Sequence, residues 1–212
     1  MKVLLVGATG IIGRMLYAEL KKDEKLSVIT VSRTGDTAIH ADISDAEQIK
    51  EMYKKAGMVD AVICAAGTCH IGTIDTLTEE QLYIGIKSKM MAQINLVLLG
   101  RPYLNANGSF TLTSGFLSDD PIPGGINYAM ANGAIENFVL AAAMELRTTA
   151  RINAVSPGWV TEQYQGLGTG HLPGQLPVEH ERITHVYYKS AFGYLTGQVF
   201  RVWEPSTQYV RK

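Results

Sequence analysis

MKVLLVGATGIIGR, residues 1–14, is the stretch whose reading decides the fold. Val3, Leu4, Leu5 and Val6 form an unbroken apolar run, the pattern of a strand buried on both faces. Gly7, Gly10 and Gly13 follow at spacing three, and Ile12, Leu16 and Leu20 begin a helical periodicity. Strand, glycine turn and helix together make a phosphate-binding element. The glycines allow a sharp turn and a close approach of a pyrophosphate to the main chain. The helix start adds free N–H groups and the positive end of its dipole. The contacts then come from Gly7, Thr9, Gly10, Ile11, Ile12 and Gly13. The spacing is G-x-x-G-x-x-G, not the commoner G-x-G-x-x-G, so a strand-to-helix turn without a ligand is the competing reading.

The chain of 212 residues is long enough for one sizeable α/β domain. With 46% hydrophobic and 18% charged residues it reads as a soluble globular protein. A net charge of −1 gives no sign of nucleic acid or an anionic membrane as partner. No apolar run approaches the roughly 20 residues of a membrane span, and the N-terminal run is too short for a signal peptide. The expectation is a cytoplasmic protein. Cys64 and Cys69 suggest neither a disulfide framework nor a zinc site. His180, Glu181 and His185 read H-E-x-x-x-H, and histidines five apart do not share a helix face, so no metal site is expected.

Strand-like and helix-like stretches alternate almost throughout, which predicts a single doubly wound, Rossmann-type parallel sheet with helices on both faces. Strands are expected at 26–32, 37–39, 59–65, 108–113, 151–155 and 198–202. Helices are expected from Ser44, with Glu47 completing a capping box, to Gly57, and from Thr78, with Gln81, to about Leu99. Two more cover 127–147 and 179–195. Residues 161–178, rich in Gly and Pro, read as a mobile loop over the substrate, with Trp159, Tyr164 and His171 as possible lining. In such a sheet, ligands sit beyond the C-terminal strand ends. Those ends carry Gly7–Gly13, Ser32-Arg33, Ala65-Ala66-Gly67, Thr113-Ser114-Gly115 and Ser156-Pro157-Gly158.

GATGIIG (7–13), Asp42, CAAG (64–67), Ser114, Tyr128 and RINAVSPGWVT (151–161), in this order, resemble the short-chain dehydrogenase/reductase family over nearly the whole chain. TGQVFRV (196–202) is similar to the family's last strand. The resemblance implies hydride transfer between a nicotinamide and a small carbonyl or alcohol. Tyr128 would exchange the proton and Ser114 would hydrogen-bond the substrate oxygen. Asp42, Ile43, Ala65, Ala66, Gly67, Pro157, Gly158 and Val160 would line the cofactor site. A homodimer or homotetramer is the implied assembly. The apolar faces of helices 79–99 and 127–147 would meet a partner subunit or cover the sheet.

The chain departs from the family where the tyrosine needs help. A free tyrosine has a pKa near ~10 and works as a base at neutral pH only beside a positive charge. The family supplies a lysine four residues on, but here that residue is Asn132. Counting about 27 residues back from Ser114, to the place of a family asparagine, reaches Lys87. The two residue types look exchanged, so Lys87 would replace the missing lysine while Asn132 holds the ribose. Lys89 is a second candidate, about 200° away around the helix. The apolar face with Ile84, Met91, Ile94 and Leu98 includes position 87 by spacing and favours Lys87. The competing reading is a surface lysine beside a lost active site. Ala65 is a further departure, standing where the family commonly has Asn. At the C-terminus Trp203-Glu204-Pro205 replaces the usual Asp-Gly-Gly.

NAD sites present a carboxylate at the end of the second strand. Here that end reads Val31-Ser32-Arg33-Thr34, without Asp or Glu. Arg33, with Ser32 and Thr34, suits a 2′-phosphate, and Arg14 is placed to approach the same group. NADP is therefore expected over NAD. The alternative function is a dinucleotide-binding sensor or regulator that has lost catalysis.

Overall fold

The computed structural model describes residues 1–160 and 175–203. Seven strands form one parallel sheet: β1 (Lys2–Val6), β2 (Ser27–Ser32), β3 (Ile39–His40), β4 (Val59–Cys64), β5 (Leu104–Thr113), β6 (Arg151–Pro157) and β7 (Val199–Val202). The strand order is β3-β2-β1-β4-β5-β6-β7. The order reverses at β1, which pairs with β2 on one side and β4 on the other. The chain therefore leaves a crevice above the C-terminal ends of β1 and β4. The doubly wound sheet expected from the alternating pattern is the fold.

Alternation along each strand divides the core in two. Leu4, Val62, Phe110, Leu112 and Ile152 face one way, and Val3, Leu5, Ala61, Ile63 and Val155 the other. The first face is covered by α2 (Ala46–Ala56), α4 (Ala92–Gly100) and α5 (Ile126–Leu146), through Ile49, Met52, Leu96, Ile135 and Val139. The second is covered by α1 (Ile11–Leu20) and α6 (His180–Phe192), through Leu16, Leu20, Ile183 and Tyr187.

The helix expected to start at Ser44 is capped one residue later. Asp45 accepts from the Glu47 N–H, while Ser44 donates to Asp42. Both residue types cap well, and the hydrogen bond to Asp42 withdraws Ser44 from that role. Gly57 closes this helix at φ +67°, in the left-handed region that glycine enters without strain. Thr78 and Gln81 form the expected capping box at the start of α3 (Glu79–Gly85).

The helix expected to run unbroken from Thr78 to about Leu99 is interrupted. A π-helical turn, Ile86–Met91, joins α3 to α4, and the Ala92 N–H reaches the Lys87 carbonyl five residues back. Gly85, Lys89 and Gln93, four residues apart, stack on the buried side, while Ile84 and Leu98 are exposed. The apolar face used to place Lys87 inward is thus the outer one. Apolar residues occur on both sides of this helix, and its outer stripe imitates a core stripe.

Candidate active site

The glycine turn is shaped by close backbone approach. Gly7 has φ +87°, and a Cβ there would lie 2.7 Å from the Ala65 carbonyl oxygen. A Cβ on Gly13 would overlap the Gly7 carbonyl, so the helix start packs directly on the strand end. Gly10 is the N-cap of α1, and the first helical bond runs from the Arg14 N–H to its carbonyl. The N–H groups of Ile11, Ile12 and Gly13 thus have no helical partner and face out of the helix end. A pyrophosphate fits this cradle by space and by charge.

Ser32 fixes the turn from the side. Its hydroxyl accepts from the Thr9 N–H and the Thr9 hydroxyl, both at 3.1 Å. It keeps its own proton to donate into a cavity of about 280 Å³ lined by Gly7, Thr9, Ser32, Arg33, Thr34, Asp42, Ile43 and Ala65–Gly67, among others. Arg33 is exposed and stands 3.9 Å from the Asp42 carboxylate. Partial burial works to raise the Asp42 pKa, but two hydrogen bonds from Ser44 and the charge of Arg33 outweigh it and hold the carboxyl below its ordinary value. Arg14 does not line this cavity. Its guanidinium is bound to the Thr9 carbonyl at 2.7 Å, and so it braces the turn instead of reaching toward a 2′-phosphate.

Ala65, Ala66 and Gly67 also line a second cleft of about 640 Å³, together with Ile11, Ile12, Lys89, Ser114, Tyr128, Asn132, Pro157, Gly158 and Trp159. The two cavities share Ala65–Gly67 as a common wall at the end of β4. Ile71, Phe116, Leu117, Ile122 and Pro123 give the second cleft an apolar wall. Val160 is buried behind it in a bridge to Val178. Gly158 donates to the Val202 carbonyl and lies against Trp203, where a Cβ would come within 2.5 Å of the Trp203 Cβ. Tyr164, His171, Glu204 and Pro205 lie outside the described residues, as does most of the loop expected at 161–178.

The Tyr128 hydroxyl, in the first turn of α5, makes no hydrogen bond to the described residues. Ser114 is buried at the end of β5, and its hydroxyl lies 3.4 Å from the Val155 carbonyl, the outer limit of a hydrogen bond. Lys87 is elsewhere: it is exposed, with its ammonium over the Tyr83 ring at 5.8 Å. The lysine in the cleft is Lys89, 6% exposed, whose ammonium donates to the Ser114 carbonyl at 3.1 Å. Burial lowers its pKa, and the Cys69 and Cys64 thiols oppose that shift. Gly67 makes room for its stem: at φ +140°, a Cβ there would lie 2.7 Å from the Lys89 Cγ. Asn132 is also buried, with Nδ2 donating to the Gly115 carbonyl at 3.1 Å.

Three supporting residues escaped the reading of the sequence. Asn127, fully buried, accepts from the His70 and Gly85 N–H groups and donates to the Leu82 carbonyl, pinning the start of α5 to α3. Gln93 exchanges two hydrogen bonds with the backbone of Thr113, at 2.7 and 2.8 Å, as a neighbouring strand would. Glu136, two turns beyond Tyr128, accepts from the Ser118 hydroxyl at 2.7 Å and from Arg201 at 3.2 Å. Arg201 also grips Asp119 with two nitrogens. The signal available was the stripe Tyr128, Asn132, Glu136 at helical spacing four, which faces the turn after β5.

A family model described as enoyl-(acyl carrier protein) reductase matches residues 13–172. The chain belongs to the short-chain dehydrogenase/reductase family. A short-chain dehydrogenase/reductase of Pestalotiopsis microspora is 26% identical over 167 residues, 74% of this chain and 63% of that protein. A trihydroxynaphthalene reductase of Pestalotiopsis fici is 24% identical over 176 residues, 79% of this chain and 62% of that protein. The chain thus spans less than two thirds of the length of these curated relatives. Among solved structures, a protein from Listeria innocua has 41% identity and a TM-score of 0.90, over 95% of this chain and 99% of that one. A small-chain dehydrogenase solved in complex with NADPH has 29% identity and a TM-score of 0.82, over 95% and 96%.

Proposed function

We propose that this chain is an NADP-dependent oxidoreductase that transfers a hydride between a nicotinamide and a small carbonyl or alcohol. The observation that carries the reading is the pair of cavities that share Ala65–Gly67, one at the glycine turn and the other at Tyr128. Together they follow the strand ends, with N–H groups that have no helical partner where the pyrophosphate would lie. Bound there, the nicotinamide supplies or accepts the hydride.

The residues divide the remaining work. Tyr128, with no partner for its hydroxyl among the described residues, donates the proton in reduction and accepts it in oxidation. Ser114, whose hydroxyl faces the Val155 carbonyl and the Glu136 carboxyl, turns it to the substrate oxygen. Arg33, Ser32 and Thr34 meet the 2′-phosphate, which supports NADP over NAD. The NADPH complex of the related small-chain dehydrogenase agrees with this preference. Asp42, Ile43 and the Ala65–Gly67 backbone border the adenosine, and Pro157 and Gly158 border the nicotinamide end, with Val160 buried behind them.

A homodimer or homotetramer belongs to the same proposal. Leu140 and Met144 on α5 and Leu98 on α4 are exposed, at 49%, 73% and 55%, although the opposite faces of both helices cover the sheet. Exposed apolar side chains grouped this way mark an interaction surface.

The test is a screen of carbonyl compounds with NADPH, repeated with Tyr128→Phe. Turnover by the parent and a loss of about 100-fold or more in the variant is expected. Undiminished turnover in the variant would remove Tyr128 from the mechanism. Asn132 and Ala65, at positions where the family has lysine and asparagine, favour a second reading: a sensor that binds the dinucleotide without using it. Firm NADPH binding with no turnover of any carbonyl would select that reading.

A further inference from the structure

Glu136 stands behind Ser114, and the fold builds a socket around its carboxyl. It lies on α5 one turn beyond Asn132, whose amide holds the Gly115 carbonyl, so one face of the helix meets the turn after β5 twice. Glu136 is 7% exposed. One carboxyl oxygen accepts from the Ser118 hydroxyl at 2.7 Å, and the other from the Arg201 guanidinium at 3.2 Å. The Ser114 hydroxyl adds a further hydrogen bond. Arg201 is itself fixed by Asp119 through two nitrogens. Among the described residues, the groups that face the carboxyl are therefore Ser114 at the end of β5, Ser118 and Asp119 in the turn that follows, and Arg201 on β7. Burying a carboxylate is costly unless it is paired and hydrogen-bonded. This socket offsets that cost beside the hydroxyl that meets the substrate.

The Ser114 hydroxyl has one proton to give. An ionised Glu136 takes it, because a hydrogen bond to a charged oxygen is roughly twice as strong as one to a neutral oxygen. A neutral Glu136 does the reverse. Its own O–H donates to Ser114 Oγ, and the serine proton is left for the substrate oxygen. Charge acts in the same sense. As hydride reaches the carbonyl carbon, the oxygen gains negative charge, which an ionised carboxylate behind Ser114 opposes and a neutral carboxyl does not. We propose that Glu136 is a positioning residue for Ser114, releasing the serine proton to the substrate oxygen when its carboxyl is neutral and withholding it when the carboxyl is ionised. The proposal rests on the oxidoreductase reading above and adds a residue that sets the state of its serine. Burial raises the Glu136 pKa against both serine hydrogen bonds and Arg201, while Asp119 adds to the rise, so the neutral form persists to a higher pH than in an ordinary glutamate.

The first arm of the test needs no substrate. Protein carrying an isotope label at the glutamate carboxyls is titrated by NMR, and the Glu136 signal is identified by its loss in Glu136→Asp. Ser114→Ala removes a hydrogen bond that favours the ionised form, so the Glu136 titration should move upward by about half a pH unit or more. An unmoved titration overturns the proposal. The second arm follows reduction of benzaldehyde by NADPH across pH. The parent should lose about tenfold in kcat as the pH rises through the Glu136 titration, and this limb should be absent from Glu136→Gln, which stays neutral. A purely structural role would leave the shape of the profile unchanged in the variant. Turnover with identical limbs in both proteins overturns the positioning role and keeps the oxidoreductase reading. No turnover by the parent of benzaldehyde or of any other carbonyl in the screen overturns the oxidoreductase reading and this role with it.

Discussion

Gly67 and Lys89 are matched: the glycine at the end of β4 adopts φ +140°, and the lysine stem fills the space a Cβ would need. Small backbone and long cation form one contact between the sheet end and the π-turn. Gly67→Ala therefore strains the backbone and displaces the lysine together. A loss of about 1–3 kcal/mol in denaturant unfolding is expected, with weaker NADPH binding. Parent-like stability and affinity would show that the contact is dispensable.

Arg33 is the one cation lining the cavity at the glycine turn among the described residues, and its pairing with Asp42 at 3.9 Å is long and exposed. Such a pair contributes little and leaves the guanidinium available. Arg33→Ala should raise the dissociation constant of NADPH by about tenfold and leave that of NADH nearly unchanged. Equal losses for both cofactors in parallel titrations would mean that Arg33 packs against the adenine and does not read the phosphate.

Glu136 gives a pH signature. Burial raises its pKa above the ordinary 4.5, against the hydrogen bonds from Ser118 and Ser114 and the charge of Arg201, while Asp119 adds to the rise. The folded protein therefore holds this proton more tightly than the unfolded chain does. Its contribution to stability is complete below pH 4.5 and is lost as the pH rises through the elevated folded value. Glu136→Gln cannot ionise and keeps an oxygen for the Ser118 hydroxyl. Chemical denaturation across the acid range should show a flatter pH dependence in the variant. Parallel profiles would place the ionisation elsewhere.

The exposed apolar side chains of α4 and α5 make a further prediction. Met144→Glu places a charge in the proposed contact surface while touching no cleft residue. Sedimentation should show a smaller species than the parent at equal concentration, with NADPH binding retained. An unchanged sedimentation coefficient would put any assembly on another face.

The doubly wound sheet was legible because its signals are local and repeated. Unbroken apolar runs at Val3–Val6 and Ala61–Cys64, the capping box at Thr78 and the glycines that follow four of the strands, at Gly7, Gly67, Gly115 and Gly158, all point to one architecture. The glycine cradle was legible for the same reason, since close approach demands glycine at 7 and 13 whatever the ligand. The lysine was not. Lys87 and Lys89 flank one residue, and choosing between them required knowing which side of the helix is buried. In the stripe Ile84, Met91, Ile94, Leu98 the two ends are exposed and the middle is half-buried, and nothing in Ile86–Met91 announces a π-turn. Glu136, Gln93 and Asn127 escaped notice because charged and amide residues on a helix usually face solvent. Their burial is set by partners distant in sequence: Ser118 and Arg201, Thr113, and His70 with Gly85.

The central claim is that a nicotinamide dinucleotide lies along the strand ends with its nicotinamide in the Tyr128 cleft. The chain has two tryptophans: Trp159 lines that cleft, and Trp203 packs behind it against Gly158. Titration with NADPH, followed by tryptophan emission, tests the claim most directly. Saturable quenching with energy transfer to the reduced nicotinamide, at one NADPH per chain and largely lost in Trp159→Phe, is the predicted result. Unchanged tryptophan emission at saturating NADPH would contradict it.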